Sequence, residues 1–253
     1  MRNILTIASR ELRSSFVTPL AYVVMAGFLL LAGFFFFTLL QQFNAVLLQA
    51  AMMPDLKPSL NEWVITPFYQ TLEIVLIFLL PVMTMRSLAE EKSSGTYELL
   101  ATSPISTVEL VFGKFLGIST VVAIMLALSF VFPGSLIVVA DPEAAPILVG
   151  FLGLLLFAWA FTALGVAVSS FTRSQAVAGI VGLVLFLLFF VIDAPAAKAG
   201  EKIAEVLRYA APSAQCDLFM KGVINSSALI YFLSLMALGL FVSVRVLEAQ
   251  RWR

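Results

Sequence analysis

Between Leu20 and Leu40 the chain carries no charged residue, and only Tyr22 and Thr38 interrupt a run of Leu, Val, Phe, Ala, Met and Gly. A run of this length matches the ~20 residues that carry an α-helix across a bilayer. Lipid offers the backbone no hydrogen-bond partners, so such a segment has to satisfy its own N–H and C=O groups. Five more apolar stretches follow, at about 68–85, 107–139, 147–170, 176–192 and 228–244. The whole chain of 253 residues is 61% hydrophobic and 12% charged, against about a quarter charged in soluble domains. The expected fold is therefore all-α: a polytopic membrane protein with six transmembrane helices in one unit, 1–253, embedded in the lipid bilayer.

Composition also excludes. A net charge of zero offers no basic surface, so nucleic acid is not expected as a partner. Histidine is absent and Cys216 is the lone cysteine, which excludes Cys/His zinc sites, a His-based triad and an internal disulfide. No cofactor or metal is expected in this chain. Gly113-Lys114 is the single Gly-Lys pair. A phosphate-binding loop would place Gly at 108 and Ser or Thr at 115, where Val108 and Phe115 stand. If ATP drives this protein, another chain binds it. No row of acids, arginines or histidines runs through the apolar stretches, which argues against a proton pump or an ion filter. Glu73 is the acid inside the second stretch; it is expected near the outer end, facing neighbouring helices or water, with a substrate-facing role as the alternative.

Along the chain, residues 1–19 read as an interfacial helix. Ile4, Ala8, Leu12 and Phe16 recur every fourth residue, with Arg2, Arg10 and Arg13 on other faces. No cleavable signal is expected at this end. Residues 41–66 read as an outer loop, with Pro54 and Pro58. Ser106 and Glu109 are spaced as a capping box opening the third span, with Ile105 and Leu110 placed for a hydrophobic staple. A break in that helix is expected at Pro133-Gly134. Residues 193–226 form a second outer segment with an amphipathic stretch, Ile203, Val206, Leu207 and Ala210 lying opposite Lys198, Glu201, Lys202, Glu205 and Arg208. Gly113/Gly117, Gly165/Ser169 and Ala178/Gly182 are small-residue pairs that permit close helix packing. Phe34–Phe37 are expected to face lipid or fill space. With both termini inside, ten Lys and Arg lie inside and five outside, as cytoplasmic loops require.

The polar run Met85-Arg86-Ser87-Leu88-Ala89-Glu90-Glu91-Lys92-Ser93-Ser94-Gly95-Thr96-Tyr97-Glu98-Leu99-Leu100-Ala101-Thr102-Ser103-Pro104 stands between two spans. It sets Leu99 and Leu100 beside Glu98, an apolar knob offered to water, just ahead of a capped helix. That combination suits a docking element for a soluble partner, covering 86–106. Leu99 and Leu100 would fill a pocket, and Glu90, Glu91 and Glu98 would meet basic residues of that partner.

Extended to Ile105-Ser106, this run resembles the signature of ABC-2 type permeases, closest to the gliding-motility-associated permease subfamily. Gly113-Lys114-Phe115 fits as well. So do Ile4-Leu5-Thr6-Ile7-Ala8 with Arg10-Glu11-Leu12 and Pro19, and Ala211-Pro212 with Phe219, Lys221-Gly222-Val223-Ile224 and Tyr231-Phe232. One departure is Gln215-Cys216, where the family pattern leads to a His-Phe pair. The resemblance implies a permease subunit of an ATP-binding-cassette transporter, an exporter in a bacterial inner membrane with both termini cytoplasmic. It implies an N-terminal elbow helix and a cytoplasmic coupling helix. The partners would be a separate cytoplasmic ABC ATPase, carrying ATP and Mg, a second permease copy or paralogue, and a membrane protein with a large outer domain. The ATPase-coupling residues would be Glu90, Glu91, Lys92, Gly95, Thr96, Glu98, Leu99, Leu100, Thr102 and Pro104. Two other functions compete: a non-transporting subunit that passes ATP-driven motion to an outer partner, and an intramembrane enzyme. The second would need a polar catalytic cluster at membrane depth, and the sequence has none.

Overall fold

A computed structural model describes residues 2–50, 52, 58–96, 105–139, 142–192, 194 and 200–251. The described residues are helical throughout, joined by short turns. Helix α1 (Arg2–Val17) passes through a bend at Thr18 into α2 (Pro19–Ala50). Pro19 opens α2, a position where its missing N–H has no helical partner to lose. A π-helical turn, Asn61–Ile65, runs on into α3 (Thr66–Thr84). Then come α4 (Ala89–Ser93), α5 (Thr107–Ser129), α6 (Val131–Val139), α7 (Ala144–Phe171) and α8 (Gln175–Val191). Helices α9 (Glu201–Ala210), α10 (Pro212–Met220) and α11 (Ser226–Arg251) complete the chain.

Among the described residues, five helical segments are long and apolar enough to cross a membrane: Pro19–Ala50, Asn61–Ser93, Thr107–Ile137, Ala144–Phe171 and Ser226–Arg251. Gln175–Val191 is apolar but shorter. The molecule is an all-helical, polytopic membrane protein.

Helix α7 is the centre of the bundle. It packs against α3, α5, α8, α10 and α11. Glycines set the closest approaches. A Cβ at Gly239 of α11 would come within 2.8 Å of the Ala163 carbonyl carbon. Phe157 and Phe161 stack at 4.3 Å between ring centroids, and Phe161 meets Phe186 of α8 edge to face at 4.8 Å. The outer helices bury single stripes: Val24, Phe28, Ala32 and Phe36 every fourth residue of α2, and Ala178, Gly182 and Phe186 of α8. Their other faces are apolar and exposed, which is stable where the surroundings are lipid. Phe36 packs into the core against Phe68 and Phe132, while Phe34 and Phe37 point outward.

Three places depart from the sequence expectation. Helix α2 runs to Ala50, well into the stretch expected to be a loop from 41. Gln41, Gln42 and Gln49 are good helix formers, Phe43 is buried, and the first strong breaker is Pro54. The break between α5 and α6 falls at Phe130 rather than at Pro133-Gly134. Pro133 lies in the first turn of α6, where it needs no acceptor. The segment 193–226 holds two helices, not one. Beyond amphipathic α9, the short α10 is drawn into the bundle and buries Pro212, Gln215, Cys216, Phe219 and Met220. Their spacing is helical and Pro212 stands at the start, so the signal was present but was masked by flanking polar residues.

Candidate functional site

The polar run after α3 begins as a turn fixed onto the end of α7. The backbone N–H groups of Leu88 and Ala89 donate to Ser169 Oγ at 3.1 and 3.0 Å, and that hydroxyl donates to the Met85 carbonyl at 3.1 Å. One buried serine thereby satisfies three main-chain groups that the turn leaves open. Lys92 Nζ donates to the Ser170 carbonyl. Gln250 of α11 reaches the same carbonyl at 3.4 Å. Helix α4 is thus held by α7 on one side.

On the other side it is held by charge. Glu91 Oε1 pairs with Arg10 Nη2 of α1 at 3.1 Å and with Lys114 Nζ of α5 at 2.9 Å. Lys114 also pairs with Glu11 of α1 at 3.2 Å. Only 2% of Lys114 is exposed. A buried ammonium needs anionic partners to be tolerated, and here it has two.

Helix α1 reaches these partners because α5 presents glycine to it. A Cβ at Gly113 would lie 2.6 Å from Ile7 Cβ, and one at Gly117 would lie 2.6 Å from Glu11 Cβ. Asn3 Nδ2 donates to the Glu109 carboxylate at 3.2 Å. The pairs Asn3/Glu109, Ile7/Gly113 and Glu11/Gly117 share one offset of 106 residues, so α1 runs parallel to the first turns of α5 with its small-residue face inward. The pair Gly113/Gly117, read from sequence as an assembly feature, serves this contact.

Helix α5 starts rigidly. Ser106 Oγ accepts from the Glu109 N–H at 3.2 Å, and Glu109 Oε2 accepts from the Ser106 N–H at 3.1 Å, a complete capping box as expected.

The expected coupling residues divide into three groups. Glu90, Gly95 and Thr96 are exposed, and Gly95 takes φ +73°, which a residue with a side chain adopts only with strain. Glu91 and Lys92 turn inward to their own chain. The sequence reading set Glu91 against basic residues of a partner; here its Oε1 meets the cations of α1 and α5. Glu98, Leu99, Leu100, Thr102 and Pro104 lie outside the described residues. The sequence reading missed Arg10, Glu11, Lys114, Ser169 and Ser170. A lysine two turns inside an apolar span was the available signal, since it requires carboxylates nearby.

At the opposite end, Glu73 is buried between α3 and α10, with 2% exposed. Cys216 of α10 lies beside it, and Glu73 Oε1 has no partner among the described residues. Burial, with Glu73 alongside, pushes the Cys216 thiol well above its usual range, so it stays protonated. Glu73 accordingly faces neighbouring helices, not water. Next to it Gln70 donates to Asp217 at 3.0 Å.

A family model described as ABC-2 family transporter protein matches residues 5–247. No curated protein matches the chain.

Proposed function

The chain belongs to the ABC-2 family of transporter membrane proteins, and from that premise we propose that it is the permease subunit of an exporter driven by an ATPase that docks on the segment between α3 and α5. ABC-2 membrane proteins pair with separate ABC ATPase subunits and are typically without catalytic activity of their own. The finer reading adds six spans, with α8 as the fifth, both termini in the cytoplasm of a bacterial inner membrane, and two permease copies or paralogues per transporter. The same proposal takes the resemblance of residues 85–106 to the gliding-motility-associated subfamily as its guide, with a large outer-domain protein as a further partner.

One observation carries this reading: the ion pairs that join α4 to α1 and α5 through Glu91 and Lys114. A partner that pushes on the segment 86–106 displaces Glu91, and Glu91 pulls on both helices at once. The capping box makes the start of α5 move as a rod. Docking itself falls to the exposed Glu90, Gly95 and Thr96, together with Glu98, Leu99, Leu100, Thr102 and Pro104, which lie outside the described residues. Lys92 anchors the segment to α7. Burying two leucines is worth about 3–6 kcal/mol before ordering costs, far more than exposed charge pairs.

The test is Leu99→Asp in the full transporter. The variant inserts and folds, yet loses co-purification of the ATPase and the stimulated hydrolysis. Unchanged co-purification and hydrolysis would remove the docking role from this segment. The non-transporting alternative shares the docking site, and reconstituted vesicles with the ATPase separate the two: a transporter moves substrate, a motion relay does not.

A further inference from the structure

We propose that the cleft enclosed by α1, the start of α2, the end of α3 and α5 binds a zwitterionic amphiphile, a lipid whose headgroup carries both a phosphate and a primary ammonium. The cleft has a volume of about 240 Å³. Arg86, Glu90 and Glu91, from the turn after α3 and from α4, line its polar part; Val24, Met83 and Ile118, further along the spans, line its apolar part. Ile118 lies one helical turn beyond Lys114, so polarity falls in the direction in which the spans enter the membrane. That is the gradient an amphiphile matches, head in the polar part and chain toward the bilayer.

Two buried atoms lack partners here, and they have opposite character. Arg86 Nε is a donor without an acceptor, and Glu91 Oε2 is an acceptor without a donor, among the described residues. Buried polar atoms of this kind are costly and call for a partner. A phosphate oxygen supplies what Arg86 lacks, and an ammonium supplies what Glu91 lacks. Three basic and three acidic side chains line the cleft: Arg10, Arg86 and Lys114 against Glu11, Glu90 and Glu91. A purely anionic ligand gains no net attraction from such a lining, whereas a zwitterion pairs with both signs. The volume is below the ~300–1,000 Å³ of pockets that engulf a whole small ligand, so the cleft holds the head and the first carbons, and the rest of the chain stays in the bilayer. None of this depends on where an ATPase docks, and binding is read on the permease chain alone.

The full chain, purified in detergent, is mixed with phosphatidylethanolamine or with phosphatidylglycerol, and lipid retention is measured by native mass spectrometry. Phosphatidylethanolamine is retained about tenfold more tightly, the size of one charge-assisted hydrogen bond. Arg86→Gln, which belongs to none of the ion pairs among the described residues, weakens retention of both lipids about tenfold while the chain stays folded, because both carry the phosphate. Should Arg86→Gln fail to fold, the unaltered chain carries the test through two soluble probes. Glycerophosphoethanolamine, the headgroup without acyl chains, binds more weakly than the lipid, and inorganic phosphate does not displace the lipid. Equal retention of the two lipids overturns the proposal. So does a folded Arg86→Gln chain that retains both lipids as tightly as the unaltered chain, a soluble headgroup that binds as tightly as the lipid, or displacement by inorganic phosphate.

Discussion

The two ends of the bundle are held by different chemistry. At the α1 end, Lys114, Glu91, Glu11 and Arg10 form a connected set of ion pairs, and Ser169 and Ser170 pin the turn before α4. At the opposite end the links are single hydrogen bonds, with Gln70 to Asp217 the one that meets a carboxylate. Tyr69 Oη donates to the Ile147 carbonyl at 2.7 Å, Tyr231 Oη donates to the Ala210 carbonyl at 2.7 Å, and Cys216 lies beside Glu73. No ion pair occurs there among the described residues. Ion pairs with a buried member are unforgiving, since losing one partner strands a charge, whereas single neutral hydrogen bonds are worth little each. The α1 end is thus built so that α1, α4 and α5 move together or not at all. The opposite end seats the short helices α9 and α10 with contacts that are individually dispensable.

The largest effect expected from this contrast is at Lys114. Lys114→Met leaves Glu91 and Glu11 facing each other beneath the surface, and stability falls by about 3–5 kcal/mol, read as a lowered midpoint of thermal unfolding in detergent. Arg10→Gln touches the same network, but its side chain is 61% exposed, and it costs at most about 1 kcal/mol. Equal losses in the two variants would mean that burial is not what makes this end rigid.

A sharper version uses the sign of an effect. Replacing glycine by alanine inside a helix ordinarily stabilises by about 1 kcal/mol. Gly27→Ala in α2 should follow that rule, because nothing lies within 4 Å of the new Cβ. Gly113→Ala should reverse it, because the new Cβ meets Ile7 Cβ at 2.6 Å and the Ile4 carbonyl at 3.1 Å. Forcing α1 outward costs about 1–3 kcal/mol and loosens the Lys114–Glu11 pair with it. If both variants gain stability, the close packing of α1 on α5 is not what holds that end together.

The sequence made the spans and the capping box legible because both depend on local patterns: uninterrupted apolar length, and Ser106 three residues before Glu109. It also marked Glu73 as an acid inside an apolar stretch, while Lys114 was read as part of a Gly-Lys pair. It did not show what they meet. Arg10 and Glu91 are 81 residues apart, and Glu11 and Lys114 are 103 apart, so their pairing follows from how α1 lies along α5 and not from spacing. The inward turn of Glu91 was illegible for the same reason, since Glu90 and Glu91 look alike in sequence and differ only in which face of α4 they occupy. Helix α10 was hidden differently. Its buried stripe was readable, but polar neighbours such as Asp217 and Lys221 made the whole segment look like an exposed connection.

A small effect is expected at the opposite end, at Tyr69. The residue is 1% exposed, and its ring lies against Gly150 of α7, where a Cβ would come within 2.7 Å of Tyr69 Cε2. Tyr69→Phe keeps that ring and its packing and removes only the hydroxyl. The carbonyl it leaves, that of Ile147, sits in the first turn of α7 and keeps the backbone hydrogen bond of its own helix, so no acceptor is stranded. The expected cost is about 1 kcal/mol, well below that of Lys114→Met, measured by the same unfolding assay. A Tyr69→Phe loss as large as that of Lys114→Met would show that the neutral contacts are as indispensable as the charged ones. The contrast between the two ends would then lie in which helices they join, not in how strongly they join them.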